Sequence, residues 1–142
     1  HDALPICSMV RKCIQGENLE VYGDVTRKKE LLYIKDFARA VVIAANNDAC
    51  GIFNLPGYEP YSLDSMVDGI MNAFADGRTE KHYRPDMPDT PQILLAHEKS
   101  KNVLGWEPVW TWEKACMDMR KECIENPMEL LWGKNDELDQ IK

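Results

Sequence analysis

The segment from Glu30 to Asn47 reads ELLYIKDFARAVVIAANN and contains two different apolar patterns. Its first apolar residues stand side by side, whereas after the aspartate they recur at three- and four-residue intervals. A short continuous run favours a buried strand, and the later spacing is typical of an amphipathic helix. We therefore predict a strand over Glu30–Ile34, an N-cap at Asp36 and a helix that begins near Phe37. The face expected to be buried on this helix comprises Phe37, Ala40, Val41 and Ala44.

Helical patterns also occur on both sides of this unit. One helix is predicted to begin near Pro5 and to end at Gly16, and two others are predicted to follow the capping residues Ser62 and Thr111. A short helix is predicted over Lys99–Leu104, before a glycine. The apolar stripes expected to be buried comprise Leu4, Cys7, Val10 and Ile14; Leu63, Met66, Val67, Ile70, Met71 and Phe74; and Trp112, Ala115, Cys116, Met119 and Cys123.

Three more segments are predicted as short strands: Leu19–Gly23, Gly51–Pro56 and Glu80–Pro85. Strands so few and short predict a small sheet rather than a complete dinucleotide-binding fold. The sequence has no internal repeat and no linker, so we predict one α/β domain over residues 1–132. Pro127 is expected to end the last helix, and residues 133–142 form a polar, acidic tail.

Charge restricts the kinds of partner. The net charge is −7 for 142 residues, so a broad nucleic-acid surface is not expected. The only local basic cluster is Arg27–Lys29, for which a solvated loop and a small anion site both remain open interpretations. No stretch approaches the roughly 18 apolar residues of a membrane helix, so no membrane partner is predicted either.

The five cysteines lie far apart and form no CxxC motif. Together with the three histidines they show no metal-ligand spacing, so no metal site is predicted. Unpaired, mostly buried thiols are typical of a reducing compartment, and we predict a cytoplasmic protein.

The motifs of common enzyme classes are also missing. A nicotinamide enzyme needs a glycine-rich turn between a strand and a helix, and neither GxGxxG nor GxxGxxG occurs. A phosphate-binding P-loop and a GxSxG nucleophile elbow are absent as well. From the residues alone, the chain is a cytosolic α/β domain without a recognisable catalytic motif.

Four segments, taken together, resemble a known family. They are LPICSMVRKCIQGENLEVYGD from Leu4, LLYIKDFARAVVIAA from Leu31, GIFNLPGYEPYSLDSMVDGI from Gly51 and KSKNVLGWEPVWTWEKA from Lys99. Their order and spacing are similar to those of the C-terminal half of NAD-dependent sugar-nucleotide epimerases and dehydratases. These are extended short-chain dehydrogenases/reductases, a family that includes UDP-glucose 4-epimerase. The resemblance extends from Leu4 to about Arg120.

The resemblance implies that cofactor binding and substrate binding are carried out by different halves of the parent enzyme. The family's cofactor turn and its Tyr-x-x-x-Lys pair lie upstream of the segments matched here. We therefore expect the chain to be the substrate-binding lobe, binding no cofactor itself, with NAD(P) bound by the parent enzyme. The implied partners are a nucleotide-sugar substrate and the absent Rossmann half, with a homodimer as one state of the parent. The surface that faces that half is expected to be apolar and prone to self-association.

The family holds the substrate diphosphate with two arginines. The first belongs to an Arg-Asp-Phe strand, and its position here is Lys29, which lacks the planar fork of a guanidinium. Arg27 stands two residues earlier and is a substitute candidate, while Val25 replaces the last glycine of the family's Gly-Asp-Gly. The second arginine of the family matches Arg84, in YRPDMP. An ion pair at the surface is the other interpretation of Arg84.

Three further residues are assigned from the resemblance. Tyr22 lies where the family places the nucleotide base, so its ring is a stacking candidate, with plain strand packing as the other interpretation. Asn54 matches the Asn of the family's Tyr-Asn-Ile-Gly, and is either a substrate contact or, as we favour, a hydrogen-bonding partner of loop backbone. Trp106 is expected to be a core anchor.

Two other functions remain open. One is a stand-alone, non-catalytic binding module that has kept only this lobe. The other is an atypical, NADP-dependent reductase whose substrate is not a nucleotide, since such a substrate has no diphosphate to hold. The departures at Val25 and Lys29 are compatible with both.

Overall fold

The computed structural model describes residues 5–87 and 91–126. They form a small α/β fold with few strands, as predicted. The helices are α1 (Pro5–Gln15), α2 (Ile34–Ala45), α3 (Leu63–Phe74), a π-helix (Ser100–Leu104) and α4 (Trp112–Glu125). The strands are β1 (Leu19–Tyr22), β2 (Lys28–Lys29), β3 (Tyr61–Ser62) and β4 (Lys81–Arg84). The predicted stop at Pro127, the tail 133–142 and the chain before residue 5 lie outside the described residues, so the domain bounds stay a prediction.

The strands form two separate pairs. β1 and β4 are parallel, with Tyr22 opposite Arg84, and β2 and β3 are antiparallel, with Lys29 opposite Tyr61. The strands predicted near Leu19–Gly23 and Glu80–Pro85 are therefore confirmed. Because β1 and β4 run in the same direction, their carboxyl ends meet at one edge of the sheet.

The main core lies between α1, α3 and α4. The predicted stripe of α3 is confirmed, since Val67 and Ile70 are fully buried and the rest of the stripe is buried or nearly so. The predicted caps are confirmed too. Ser62 Oγ accepts a hydrogen bond from Ser65 N at 3.1 Å, and Thr111 Oγ1 accepts one from Lys114 N.

The strand predicted over Glu30–Ile34 is wrong. Only Lys28–Lys29 pairs as β2, and helix α2 already begins at Ile34 with Tyr33 as its N-cap. Asp36 is not the cap but lies inside the first turn, where its side chain is 1% exposed. Its carboxylate satisfies backbone donors of a distant segment rather than those of its own helix, and this long-range contact has no local signature.

The predicted buried face of α2 is also wrong, except for Ala40. Phe37 is 44% exposed and Val41 51% exposed, because α2 packs through Ala40 and Ile43 against Trp106 instead. Trp106 is fully buried, as predicted for a core anchor. The short helix before it is confirmed as the π-helix, which ends at Gly105 with φ +67°.

The third predicted strand, Gly51–Pro56, pairs with no strand in the described part of the chain. It is held by side chains instead: Lys99 Nζ donates to the Ile52 carbonyl at 2.8 Å, and Asn54 Nδ2 donates to the Ala96 carbonyl at 3.1 Å. The Ile52 side chain is 87% exposed. The apolar pattern that suggested a strand therefore belongs to an extended segment with one face open.

Candidate functional site

The carboxyl edge of the β1–β4 sheet brings Tyr22 and Arg84 together. Side chains alternate along β1, so that Leu19 and Val21 enter the core while Glu20 and Tyr22 face outward. Tyr22 is 44% exposed and stands opposite Arg84 in the strand register. An exposed aromatic ring beside a guanidinium, at the ends of two parallel strands, suits a ligand with both a flat and an anionic part.

Arg84 lies between two carboxylates. Its Nη1 is 3.4 Å from Glu20 Oε1, and its Nε is 3.4 Å from Asp86 Oδ1. Both distances exceed those of tight charge-assisted hydrogen bonds, and the side chains are exposed, so an incoming phosphate can replace these partners. The surface ion pair considered for Arg84 is therefore present. Its geometry allows the guanidinium to exchange these carboxylates for another anion.

Glu20 links the two residues of this edge. The Tyr22 hydroxyl donates to Glu20 Oε2 at 2.7 Å, and this hydrogen bond, with a smaller contribution from the Arg84 charge, lowers the pKa of Glu20. Arg84 likewise lowers the pKa of Asp86. Both acids are thus ionised at neutral pH and compete with any anion for Arg84. Sequence reasoning missed Glu20 because its contact with Arg84 depends on the pairing of β1 with β4, and it missed Asp86 although that residue lies only two positions after Arg84.

Arg27 and Lys29 lie on the chain that continues from β1. Residues 24–27 form a turn in which the Asp24 carboxylate accepts hydrogen bonds from the Thr26 amide and hydroxyl at 2.8 and 2.7 Å. The Arg27 carbonyl then accepts from Leu63 N, which fixes the turn to the start of α3. Lys29 follows in β2, so it belongs to a different sheet from Arg84.

The chain that follows β4 runs beside β2. Lys28 N donates to Gln92 Oε1, and the Glu30 carboxylate accepts from Leu95 N, both at 2.9 Å. The segments after β1 and after β4 therefore lie against each other, with Lys29 between the two anchored positions. Asn54 contacts the same later segment through its bond to Ala96, which is the loop-backbone role favoured for it.

The described residues do not fit a dinucleotide cofactor. Such a cofactor needs a glycine-rich turn that joins a strand to a helix. Here β3 passes into α3 directly at Ser62. Strand β1 ends at Tyr22, and the chain continues through Gly23 and the 24–27 turn into β2 rather than into a helix. We therefore derive no chemical step through a nicotinamide on these residues.

An apolar surface lies on α2, away from its buried side. It comprises Ile34, Phe37 and Val41, at helical spacing, and we call it the α2 surface. Their exposed fractions are 65%, 44% and 51%. The α2 surface is thus an apolar helix face that no other part of the described chain covers.

All five cysteines are free, with Cys13 and Cys116 buried. Burial raises the pKa of Cys13 to about 11 and that of Cys116 to about 12, so both stay protonated at neutral pH. Within residues 5–87 and 91–126, no group of His, Cys, Asp and Glu could hold a metal ion. Among the helices in those ranges, none has the length and apolar content needed to cross a bilayer.

Comparison with known proteins finds a family and sequences that are similar to parts of this chain. The sequence profile of the NAD dependent epimerase/dehydratase family matches residues 5–55 of this chain. The chain is 27% identical over 123 residues to the low-salt glycan biosynthesis protein Agl12 of Haloferax volcanii, covering 83% of this chain and 39% of that protein. It is also 27% identical over 110 residues to UDP-glucuronic acid decarboxylase 1 of Danio rerio, covering 77% of this chain and 26% of that protein.

Solved structures share the fold. UDP-glucose 4-epimerase of Thermotoga maritima, solved with UDP-glucose, superimposes with a TM-score of 0.73 at 20% identity, over 88% of this chain and 40% of that one. dTDP-glucose 4,6-dehydratase of Bacillus anthracis, in complex with NAD, gives 0.69 at 21% identity, over 96% and 42%. The chain thus spans well under half the length of these proteins. Residues 5–55 match the NAD dependent epimerase/dehydratase family, and the fold of the chain is similar to that of part of these enzymes.

Proposed function

We propose that this chain is the substrate-binding part of an NAD(P)-dependent nucleotide-sugar epimerase or dehydratase, and that it holds the nucleoside diphosphate. The observation that carries the proposal is the Tyr22–Arg84 pair at the carboxyl edge of β1 and β4. The names of the relatives support the substrate class, since they act on or bind UDP- and dTDP-sugars.

In this proposal Arg84 exchanges Glu20 and Asp86 for phosphate oxygens. The exposed Tyr22 ring stacks on the base, and Arg27 or Lys29 supplies the second positive charge. Asn54 would act by fixing the loop that carries it. Because the described residues lack a dinucleotide turn, the chain's contribution is binding and orientation of the substrate.

The α2 surface is proposed to contact the cofactor-binding half of the parent protein. The chain spans 39% of the length of its archaeal relative, so much of such a protein lies beyond the match. A helix face that is covered in a domain interface becomes exposed when the partner domain is absent. Self-association through the same face, and a cytoplasmic location supported by the free thiols, remain part of the proposal.

Calorimetric titration of UDP, GDP and dTDP tests the nucleotide proposal. We expect one nucleotide to bind, and Arg84→Ala to weaken its binding by about tenfold, because a charge-assisted contact contributes roughly 1.5 kcal/mol. Arg78→Ala is the matched control. Arg78 is also exposed and paired with an aspartate, but it lies before the amino end of β4. Equal losses in both variants would contradict a specific phosphate contact at Arg84.

Glu20→Gln provides a prediction of opposite sign. Removing the competing negative charge, while keeping a hydrogen-bond acceptor for Tyr22, should tighten binding of the same nucleotide about threefold, as expected for an exposed pair. The gain should shrink at high salt, since exposed charges are screened. The control is Glu80→Gln, an exposed acid at the opposite end of β4. Weaker binding by Glu20→Gln would show that Glu20 supports the site instead.

A second candidate is a reductase acting on a non-nucleotide substrate, which the departures at Val25 and Lys29 permit because such a substrate has no diphosphate to hold. In such a protein Arg84 would keep its ion pairs with Glu20 and Asp86 as plain structural contacts. Absence of binding of all three nucleotides, both to this chain and to a longer protein that includes the cofactor half, would support this candidate. Binding only to the longer protein would keep the nucleotide-sugar proposal.

A further inference from the structure

A second concave site lies on the side of the molecule where α1 approaches α4. It is a cavity of about 150 Å³ that opens between these helices and the segments 31–33 and 110–112. The lining side chains that matter here are Leu31, Tyr33, Trp110, Trp112, Ala115 and Met119. None of them belongs to the Tyr22–Arg84 edge.

Two polar groups of the lining side chains, the Tyr33 hydroxyl and the Trp112 indole nitrogen, are engaged elsewhere. The Tyr33 hydroxyl donates to Asp118 Oδ2 at 2.6 Å, and Trp112 Nε1 donates to the Met66 carbonyl at 2.9 Å. The centroids of the Tyr33 and Trp110 rings are 5.0 Å apart, and the planes of the two rings are inclined to each other by 47°. The walls therefore offer aliphatic groups and ring surfaces.

The charged groups beside the cavity are paired with one another. Lys35 Nζ is 2.6 Å from Asp118 Oδ2 and 3.2 Å from Glu122 Oε1, and the Lys121 charge also acts on Asp118. Lys35 also lies 5.5 Å above the Trp110 ring. Burial, with the hydrogen bond to Asp118, raises the pKa of Tyr33, so its hydroxyl stays a neutral donor to that acid. Because Lys35 is already paired with two acids, an anionic ligand would lose hydration without gaining a free cation there.

We propose that this cavity binds a small neutral aromatic molecule, of the size range from benzene to indole. Apolar cavities of about this volume, lined by aliphatic and aromatic side chains, stay dry and accept benzene. Offset or edge-to-face contacts with Tyr33 and Trp110 favour a flat ring over a branched alkane. The apolar walls and the already paired Lys35 select against carboxylates and phosphates, so the site is chemically distinct from the nucleotide edge.

Titration with fluorobenzene, followed by ¹⁹F and ¹⁵N–¹H NMR, tests the proposal. We expect saturable shifts in the amides of Leu31, Tyr33 and Trp110. Benzoate should bind at least about tenfold more weakly, because its carboxylate would lose hydration without a free cation to pair with. Ala115→Leu should fill the cavity and abolish the shifts. Ala38→Leu, on the exposed side of α2, makes the same chemical change outside the cavity and should bind like the original chain.

A second variant protects the test against misfolding. Leu31→Phe narrows the cavity from the opposite wall, and its amide spectrum reports whether the fold is intact. Loss of binding in both filling variants, with native spectra in at least one, supports the site. The proposal is overturned if fluorobenzene shows no saturable shifts, if it binds Ala115→Leu unchanged, or if benzoate binds equally well.

Discussion

Replacing Trp106 with alanine is expected to lower the free energy of unfolding by about 4 kcal/mol, the largest effect of any substitution considered for this chain. Trp106 is 0% exposed and packs against Ala40 and Leu104. Its Nε1 donates to the Asp36 carbonyl at 3.2 Å within the first turn of α2. Alanine would leave a cavity and remove the side chain that joins α2 to the segment after the π-helix.

Urea unfolding followed by circular dichroism measures this loss, since the tryptophan itself is not the probe. Trp110→Ala is the matched control, because Trp110 is only partly buried at the rim of the aromatic cavity. We expect the control to lose about half as much stability. A larger loss for Trp110→Ala than for Trp106→Ala would show that the second core cluster is not what holds α2 in place.

Helices of this fold could be predicted from the sequence because their signals are local. The stripe of α3 repeats at helical spacing. Ser62 and Thr111 each cap the helix that begins at the next residue, so the interacting residues lie within one helical turn of each other. The strands β1 and β4 were also identified. Their parallel pairing was not, because it joins residues more than fifty positions apart and leaves no local pattern.

Predictions for α2 failed for the same physical reason. An aspartate between an apolar run and a helical pattern favours an N-cap, yet Asp36 is used by Val109 and Trp110. Likewise, Phe37 and Val41 have the spacing of a buried face, but nothing in the described residues covers them. A sequence pattern shows that a face is apolar; it does not show whether the covering partner belongs to the same chain.

The candidate site was predictable only in part. Resemblance to the family located Tyr22 and Arg84, and the structure places them side by side. Whether they bind a nucleotide is still a prediction. The residues that compete for Arg84, Glu20 and Asp86, became visible only through the ion-pair geometry. The strength of the site will therefore depend on a charge balance that no single motif encodes.

Asp36→Ala is expected to lower the free energy of unfolding by about 3 kcal/mol. Asp36 Oδ2 accepts hydrogen bonds from the Val109 and Trp110 amides, both at 2.9 Å, and Oδ1 pairs with Arg39 Nη1 at 2.6 Å. Alanine would leave those two part-buried amides without their acceptor, and hydrogen bonds to a charged group are worth roughly 1.5–3 kcal/mol each. Part of that loss should be recovered by water reaching the loop.

Two companion variants separate the backbone contacts from the ion pair. Asp36→Asn keeps an oxygen acceptor but loses the charge, and should cost about 2 kcal/mol. Arg39→Ala leaves the carboxylate and both amide bonds in place, but it removes the ion pair together with the hydrogen bond from Arg39 Nη2 to the Glu107 carbonyl. Because the Arg39 side chain is 41% exposed, this change should cost only about 1 kcal/mol. Urea unfolding should therefore show the largest loss of stability for Asp36→Ala, a smaller loss for Asp36→Asn and the smallest for Arg39→Ala. If Arg39→Ala were as damaging as Asp36→Ala, the contacts of Arg39 rather than the amide bonds to Asp36 would hold the segment 107–110 on α2, and the account of why this aspartate is buried would be wrong.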